Sequence, residues 1–237
     1  MIALVDYDNI PRIERNRGLA QLAHRIANVI GPAPFAAEPS LRLRLYGGWF
    51  NKSNASRNAQ ALVAELGATF PIQMVVSDAT SSIKLPCRAE MAYSLACDPG
   101  VPVTHTYRPR SLPPTLTCSA PPFTGCANPG ACPVVPLHDF FHSGQCSVVS
   151  CAVAPEVILT KPEQKLVDSM IIADLIHLTR TSTEQLAVVS TDDDILPGIR
   201  LALLQGARVI HVHPAPGRAV ASHYQRLVQG AYTSFSF

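Results

Sequence analysis

The chain has 237 residues, 47% of them hydrophobic, and a formal net charge of +2. These values suit a soluble globular protein with one large α/β domain, or such a domain carrying an insert. No run approaches the roughly 18 uninterrupted apolar residues a membrane span needs. The start, MIALVDYDNI, has neither a basic leader nor a small-residue cleavage site, so the expected compartment is the cytoplasm, with no membrane partner.

IALVDYD (2–8) is a short run rich in branched residues that ends in carboxylates, and reads as a buried strand. RGLAQLAHRIANVIG (17–31) has apolar residues at helical spacing and stops at Gly31 before Pro32. LRLRLYGGWF (41–50) alternates like a strand and closes on two glycines, and SNASRNAQALVAELGA (53–68) is a capped helix. FPIQMVVSD (70–78) is a third strand.

The rhythm resumes near the C-terminus. KPEQKLVDSMIIADLIHLTR (161–180) reads as a helix with Pro162 in its first turn. EQLAVVST (184–191) is a strand, DDILPGIRLALLQGA (193–207) a helix, RVIHVHP (208–214) a strand, and RAVASHYQRLVQGA (218–231) a closing helix. Alternation of this kind predicts a central parallel sheet covered on both faces. A right-handed doubly wound order places the first strand centrally, next to AVVST. Two domain segments follow, 1–82 and 159–237, with 83–158 between them as an inserted subdomain.

That insert breaks the pattern. It holds every cysteine, and 10 of the 21 prolines fall within 99–136. Only CRAEMAYSLAC (87–97) has a helical period there. Seven cysteines, an odd number without an export signal, favour metal ligation or reduced thiols over disulfides. Cys118, Cys126, Cys132 and Cys146, with Cys151, His138 and His142 nearby, offer enough soft ligands for a structural zinc. None of their spacings is a C-x-x-C pair, so reduced, partly buried thiols are the favoured reading and zinc the alternative.

Charge is unevenly spread. Asp6, Asp8, Asp168, Asp174, Asp192, Asp193 and Asp194 fall in three short stretches, and the rest of the chain carries an excess of nine basic residues. Fifteen of the 19 basic residues are arginine, whose planar fork suits phosphate. In an open parallel sheet ligands bind at the carboxyl ends of the strands, where Asp6 and Asp192 to Asp194 would meet if their strands are neighbours. Asp168 and Asp174 are six residues apart on one helix, about 120° around it. Asp168 is therefore taken into the crevice, and Asp174 is expected to bond a backbone group or an arginine. Only Lys165 is a nearby lysine, so the carboxylates call for a cation. Hard oxygen ligands suit Mg²⁺ or Mn²⁺.

Three blocks, DYDN (Asp6 to Asn9), KLVDSMIIAD (Lys165 to Asp174) and STDDDILP (Ser190 to Pro197), together resemble the NYN domain, a branch of the PIN-like metal-dependent ribonucleases. The resemblance covers about residues 1–78 and 160–215. It implies a three-layer α/β/α sandwich of the PIN-like type and hydrolysis of RNA phosphodiester bonds, an endoribonuclease activity. Asp6, Asp168, Asp192 and Asp194 would hold the Mg²⁺ or Mn²⁺, Asn9 would orient the site, and Ser190 would brace the last carboxylate loop. The Cys/Pro-rich insert departs from the family pattern and leaves substrate choice open.

Two rivals remain. In a haloacid-dehalogenase-like phosphatase, Asp6 would be the nucleophile, Asp8 the general acid and Lys165 the lysine. Alternatively the chain is a non-catalytic PIN-like module that binds RNA or docks a protein partner or a second copy of itself through the insert. Candidate RNA contacts are Arg42, Arg44, Lys52 and Arg57 for phosphate and Trp49, with Tyr46 and Phe50, for stacking. Solvated surface and rim packing are the plain readings of the same residues, and His211 and His213 read as structural.

Overall fold

The computed structural model of the protein describes residues 1–111, 119–158, 160–164 and 166–237. It divides into two compact units, Met1–Tyr107 with Gln164–Phe237, and Arg108–Glu163.

The first unit is built on a seven-stranded sheet of β1 (Ile2–Asp6), β2 (Leu41–Tyr46), β3 (Ile72–Ser77), β4 (Ser82–Met91), β5 (Leu186–Val189), β6 (Val209–His213) and β7 (Tyr232–Ser236). Their order is β7-β6-β5-β1-β2-β4-β3. Every neighbouring pair is parallel except the edge pair β3 and β4. β1 lies between β2 and β5, so the expected adjacency of the first strand and AVVST is present. All five residues of β1 are buried, as a strand covered on both faces requires.

Four helices cover the sheet: α1 (Leu19–Ile30), α2 (Arg57–Thr69), α3 (Val167–Thr181) and α4 (Leu196–Leu204). Strand periodicity sorts the core into two halves. Ala3, Val5, Leu41, Leu43 and Leu45 pack with Leu22, Ile26, Ala59 and Leu62 of α1 and α2. Ile2, Leu4 and Tyr46 pack with Met170, Ile171, Leu175, Ile199 and Ala202 of α3 and α4. Successive side chains of one strand thus serve opposite faces.

Three boundaries differ from the sequence expectations. Residues 83–91, assigned to the insert, belong to β4 (Ser82–Met91), inside the sheet between β2 and β3. Leu85, Cys87 and Met91 are buried while Lys84 and Arg88 are exposed, so a two-residue period prevails over the helical reading of 87–97. Burial pushes the Cys87 thiol up to about 12, which keeps it protonated and inert. At the C-terminus, 218–231 is not a helix. A 3₁₀ segment, Ser222–Val228, leads into β7, which covers what would otherwise be the open edge of β6. Finally, α3 begins at Val167, preceded by a strand at Thr160–Gln164.

In the second unit, helix Val135–Ser143 is the longest element and ends at Gly144 in a left-handed conformation. The rings of His138 and His142 stack one turn apart, with centroids 5.7 Å apart. Among the described residues no helix is long and apolar enough to cross a membrane.

Candidate metal centre

The carboxyl ends of β1 and β5 lie side by side, because Val5 is in register with Val189. β1 therefore delivers Asp6 next to the Ser190–Asp194 turn that leaves β5. In that turn the Asp192 carboxylate accepts from the Asp194 backbone N–H at 3.0 Å, capping a 3₁₀ segment at Asp193–Ile195 that runs into α4. α3 brings the third segment. Its buried stripe of Val167, Met170, Ile171, Asp174, Leu175 and Leu178 faces the sheet, which leaves Asp168 in the first turn at the strand ends.

Close contact between α3 and α4 sets the distance across the crevice. A Cβ on Gly198 would come within 2.8 Å of Ile172 Cγ1, so only glycine lets the helices approach this far. Asp168, Asp192 and Asp194 then present carboxylate oxygens that all lie within 4.8 Å of one another. Burial raises the pKa of Asp168, and the charges of Asp192 and Asp194 raise it further. Asp168 Oδ1 is buried and meets no hydrogen-bond donor among the described residues. Such an oxygen is costly unless a cation or donor reaches it.

Asp6 stands beside this group and is fully buried. Its Oδ2 accepts from Asn9 Nδ2 at 2.5 Å and from Ser190 Oγ at 3.1 Å, and Oδ1 accepts from the Asn9 backbone N–H at 3.3 Å. Ser190 Oγ in turn accepts from the Asp192 N–H at 3.0 Å, tying the β5 turn to Asp6. Burial raises the Asp6 pKa from 3.8 to about 6. The Asn9 and Ser190 hydrogen bonds oppose that rise, and the Asp168 charge adds to it.

No protein family model, curated protein or solved structure matches this chain.

The other sequence candidates disperse. The Asp8 carboxylate accepts from the Gly48 N–H at 2.7 Å and lies 3.8 Å from Arg15, so it braces the turn after β2. Asp174 is fully buried and accepts from Arg44 Nε at 2.9 Å, Tyr46 OH at 2.6 Å and the Ala96 N–H at 2.7 Å. Lys165 lies outside the described residues.

Three proposed RNA contacts are corrected. Arg44 is turned inward, held by Asp174 and by Glu90 at 2.7 Å, because its position in β2 faces α3. Trp49 is 1% exposed and belongs to the core, 6.0 Å from the Tyr7 ring, over Gly47, where a Cβ would strike its indole at 2.8 Å. Tyr46 is likewise buried. Arg42 remains at the surface with a salt bridge to Glu184 at 3.2 Å, and Lys52 and Arg57 are exposed.

Of the cysteines offered for zinc, Cys118 is outside the described residues. Among the described residues, Cys126, Cys132, Cys146 and Cys151 are free thiols, and the three aspartates form the one gathered set of ligands.

Sequence reasoning missed the support behind Ser190. His211 Nε2 lies 3.1 Å from the Ser190 carbonyl, an acceptor, so that nitrogen carries the proton and Nδ1 accepts from Tyr232 OH at 2.9 Å. Burial holds His211 down at about 3, so the ring is neutral. Nothing local in the sequence flags this link, because Tyr232 enters only through the pairing of β7 with β6.

Proposed function

We propose that the protein is a divalent-metal-dependent ribonuclease of the NYN, PIN-like type, hydrolysing RNA phosphodiester bonds at the carboxyl edge of its sheet. The observation that carries this reading is the convergence of Asp168, from one helix, with Asp192 and Asp194, from the turn after β5, with an Asp168 oxygen that meets no donor among the described residues. Like charges brought that close need positive charge between them. The donor set, all hard carboxylate oxygens, fits Mg²⁺ or Mn²⁺.

Asp168, Asp192 and Asp194 would hold the ion, with Asp6 behind them. An ion there would supply Lewis acidity toward a phosphoryl oxygen and acidify a water. The chain's own groups do the positioning. Ser190 and Asn9 fix the Asp6 carboxylate, Ser190 Oγ also holds the Asp192 backbone, and the neutral His211 holds the Ser190 carbonyl. RNA as substrate is supported by the basic excess outside the acidic stretches and by exposed Lys52 and Arg57.

The phosphatase reading has less support. Asp6 is buried with both oxygens engaged, and Asp8 is committed to Gly48 and Arg15, so nucleophile and acid are not presented together. Cleavage of end-labelled single-stranded and structured RNAs, in Mg²⁺, Mn²⁺ or EDTA, tests the proposal. Metal-dependent cleavage by the wild type that falls at least a hundredfold in Asp192→Asn is expected. Equal cleavage by wild type and variant, or none by the wild type, would overturn it. Retained RNA binding without cleavage would favour the binding module.

A further inference from the structure

The triplet Asp192-Asp193-Asp194 is not used uniformly. Its outer members join Asp168, while the middle carboxylate turns to Arg218, whose Nη2 donates to Asp193 Oδ2 at 3.1 Å. Arg218 sits in the loop that leaves β6, and β6 is the direct neighbour of β5. The guanidinium therefore stands at the rim of the acidic cluster, on the same edge of the sheet.

Three observations separate this arginine from an incidental surface pair. It engages Asp193 alone among the triplet, although a simple counterion would be drawn to the more crowded Asp192 and Asp194. Its side chain is 42% exposed, and among the described residues the guanidinium bonds only Asp193, so donors remain to it beyond that pair. His213, the last residue of β6, is 1% exposed, with no partner on either ring nitrogen among the described residues. Burial lowers the pKa of that ring and the Arg218 charge acts the same way, while the Asp193 charge opposes them.

We propose that Arg218 is a substrate-binding residue that grips an RNA phosphate adjacent to the one at the carboxylate cluster, with Asp193 as the residue that positions it. The chemistry follows from an arginine fork held on one side by a carboxylate and open on the other, which takes a phosphate bidentately. Two neighbouring phosphates of one strand would then meet two kinds of positive charge, an ion among the carboxylates and a fixed guanidinium beside them. This inference rests on the ribonuclease reading for the identity of the substrate.

The test uses the full chain and a labelled single-stranded oligoribonucleotide. Binding is measured in Ca²⁺ across a salt series, and cleavage is measured separately in Mn²⁺. Loss of one phosphate contact should lower the slope of log affinity against log salt by about 0.7. Arg218→Gln should show that drop and a KM at least tenfold higher, with Mn²⁺ affinity unchanged, and Arg218→Lys should recover part of it. Asp193→Asn should raise KM with little change in kcat, a split that a merely structural role would not give.

Wild-type affinity and salt slope in Arg218→Gln would overturn the inference, even where metal-dependent cleavage upholds the ribonuclease reading. Absence of cleavage together with Arg218-dependent RNA binding would sink the ribonuclease reading and uphold the contact. A wild type that binds no RNA would overturn both.

Discussion

Asp6 makes the stability of this protein depend on pH in an unusual direction. Its pKa in the folded chain is about 6, against an ordinary 3.8. At about 1.36 kcal/mol for each tenfold change in acidity, that gap is worth roughly 3 kcal/mol. The folded form binds the proton more tightly than the unfolded form. The stabilisation is therefore complete below pH 3.8 and is lost as pH rises through about 6. For a chain of this size, roughly 3 kcal/mol corresponds to a Tm change of about 6–12 °C.

The assay is thermal unfolding in EDTA between pH 4.5 and 7.5 for wild type and Asp6→Asn. Other groups titrate in both proteins, so the difference between the two curves reports residue 6 together with its coupling to Asp168. The wild type should lose stability relative to the variant as pH rises, and saturating Mn²⁺ should restore much of that loss at pH 7.5 by binding the ionised cluster. Parallel curves in EDTA would refute the assignment of a buried, proton-retaining carboxylate at position 6. A metal effect as large at pH 4.5 as at pH 7.5 would refute the competition between protons and cation.

Three other outcomes are expected. Ser190→Ala removes a donor to Asp6 and the acceptor for the Asp192 N–H. It should cost about 1–3 kcal/mol in urea denaturation and weaken Mn²⁺ binding about tenfold by calorimetry. Arg44→Met strands the buried Asp174 carboxylate and should lower the unfolding free energy by about 3–5 kcal/mol. RNA cleavage per folded molecule should stay within about threefold, because Arg44 faces inward. Trp49→Ala should cost about 3–5 kcal/mol through the cavity it leaves, while RNA affinity of the folded fraction, read by a filter assay, stays unchanged.

How legible all this was varies by element. β1, α1 and α2 could be read directly, because each has one period and a clear terminator such as Gly31 or the Ser56 cap. The meeting of Asp168 with Asp192 and Asp194 followed from sheet topology, since parallel strands with helical crossovers return their carboxyl ends to one edge. β4 was hidden by its setting among cysteines and prolines, although Leu85, Cys87 and Met91 carry its alternation. Arg44 and Trp49 were misplaced for different reasons. Arg44 faces α3 and is paired there with Asp174, whereas Trp49 folds from the turn after β2 over Gly47 into the core. Asp174, a lone carboxylate in an apolar helical stripe, was the available hint that an arginine had to be buried opposite it. The roles of Tyr232 and His211 depend on a strand pairing that no local pattern announces.

The seventh strand carries a consequence for anyone who shortens or extends this chain. Tyr232 is its first residue, and its hydroxyl is the outermost link in a relay through His211 and the Ser190 carbonyl to the turn bearing Asp192. Removing the strand Tyr232–Ser236, far from any carboxylate in sequence, would leave β6 without a neighbour on one side and free the imidazole to rotate. A strand that bears none of the gathered carboxylates thus behaves as a tether for them.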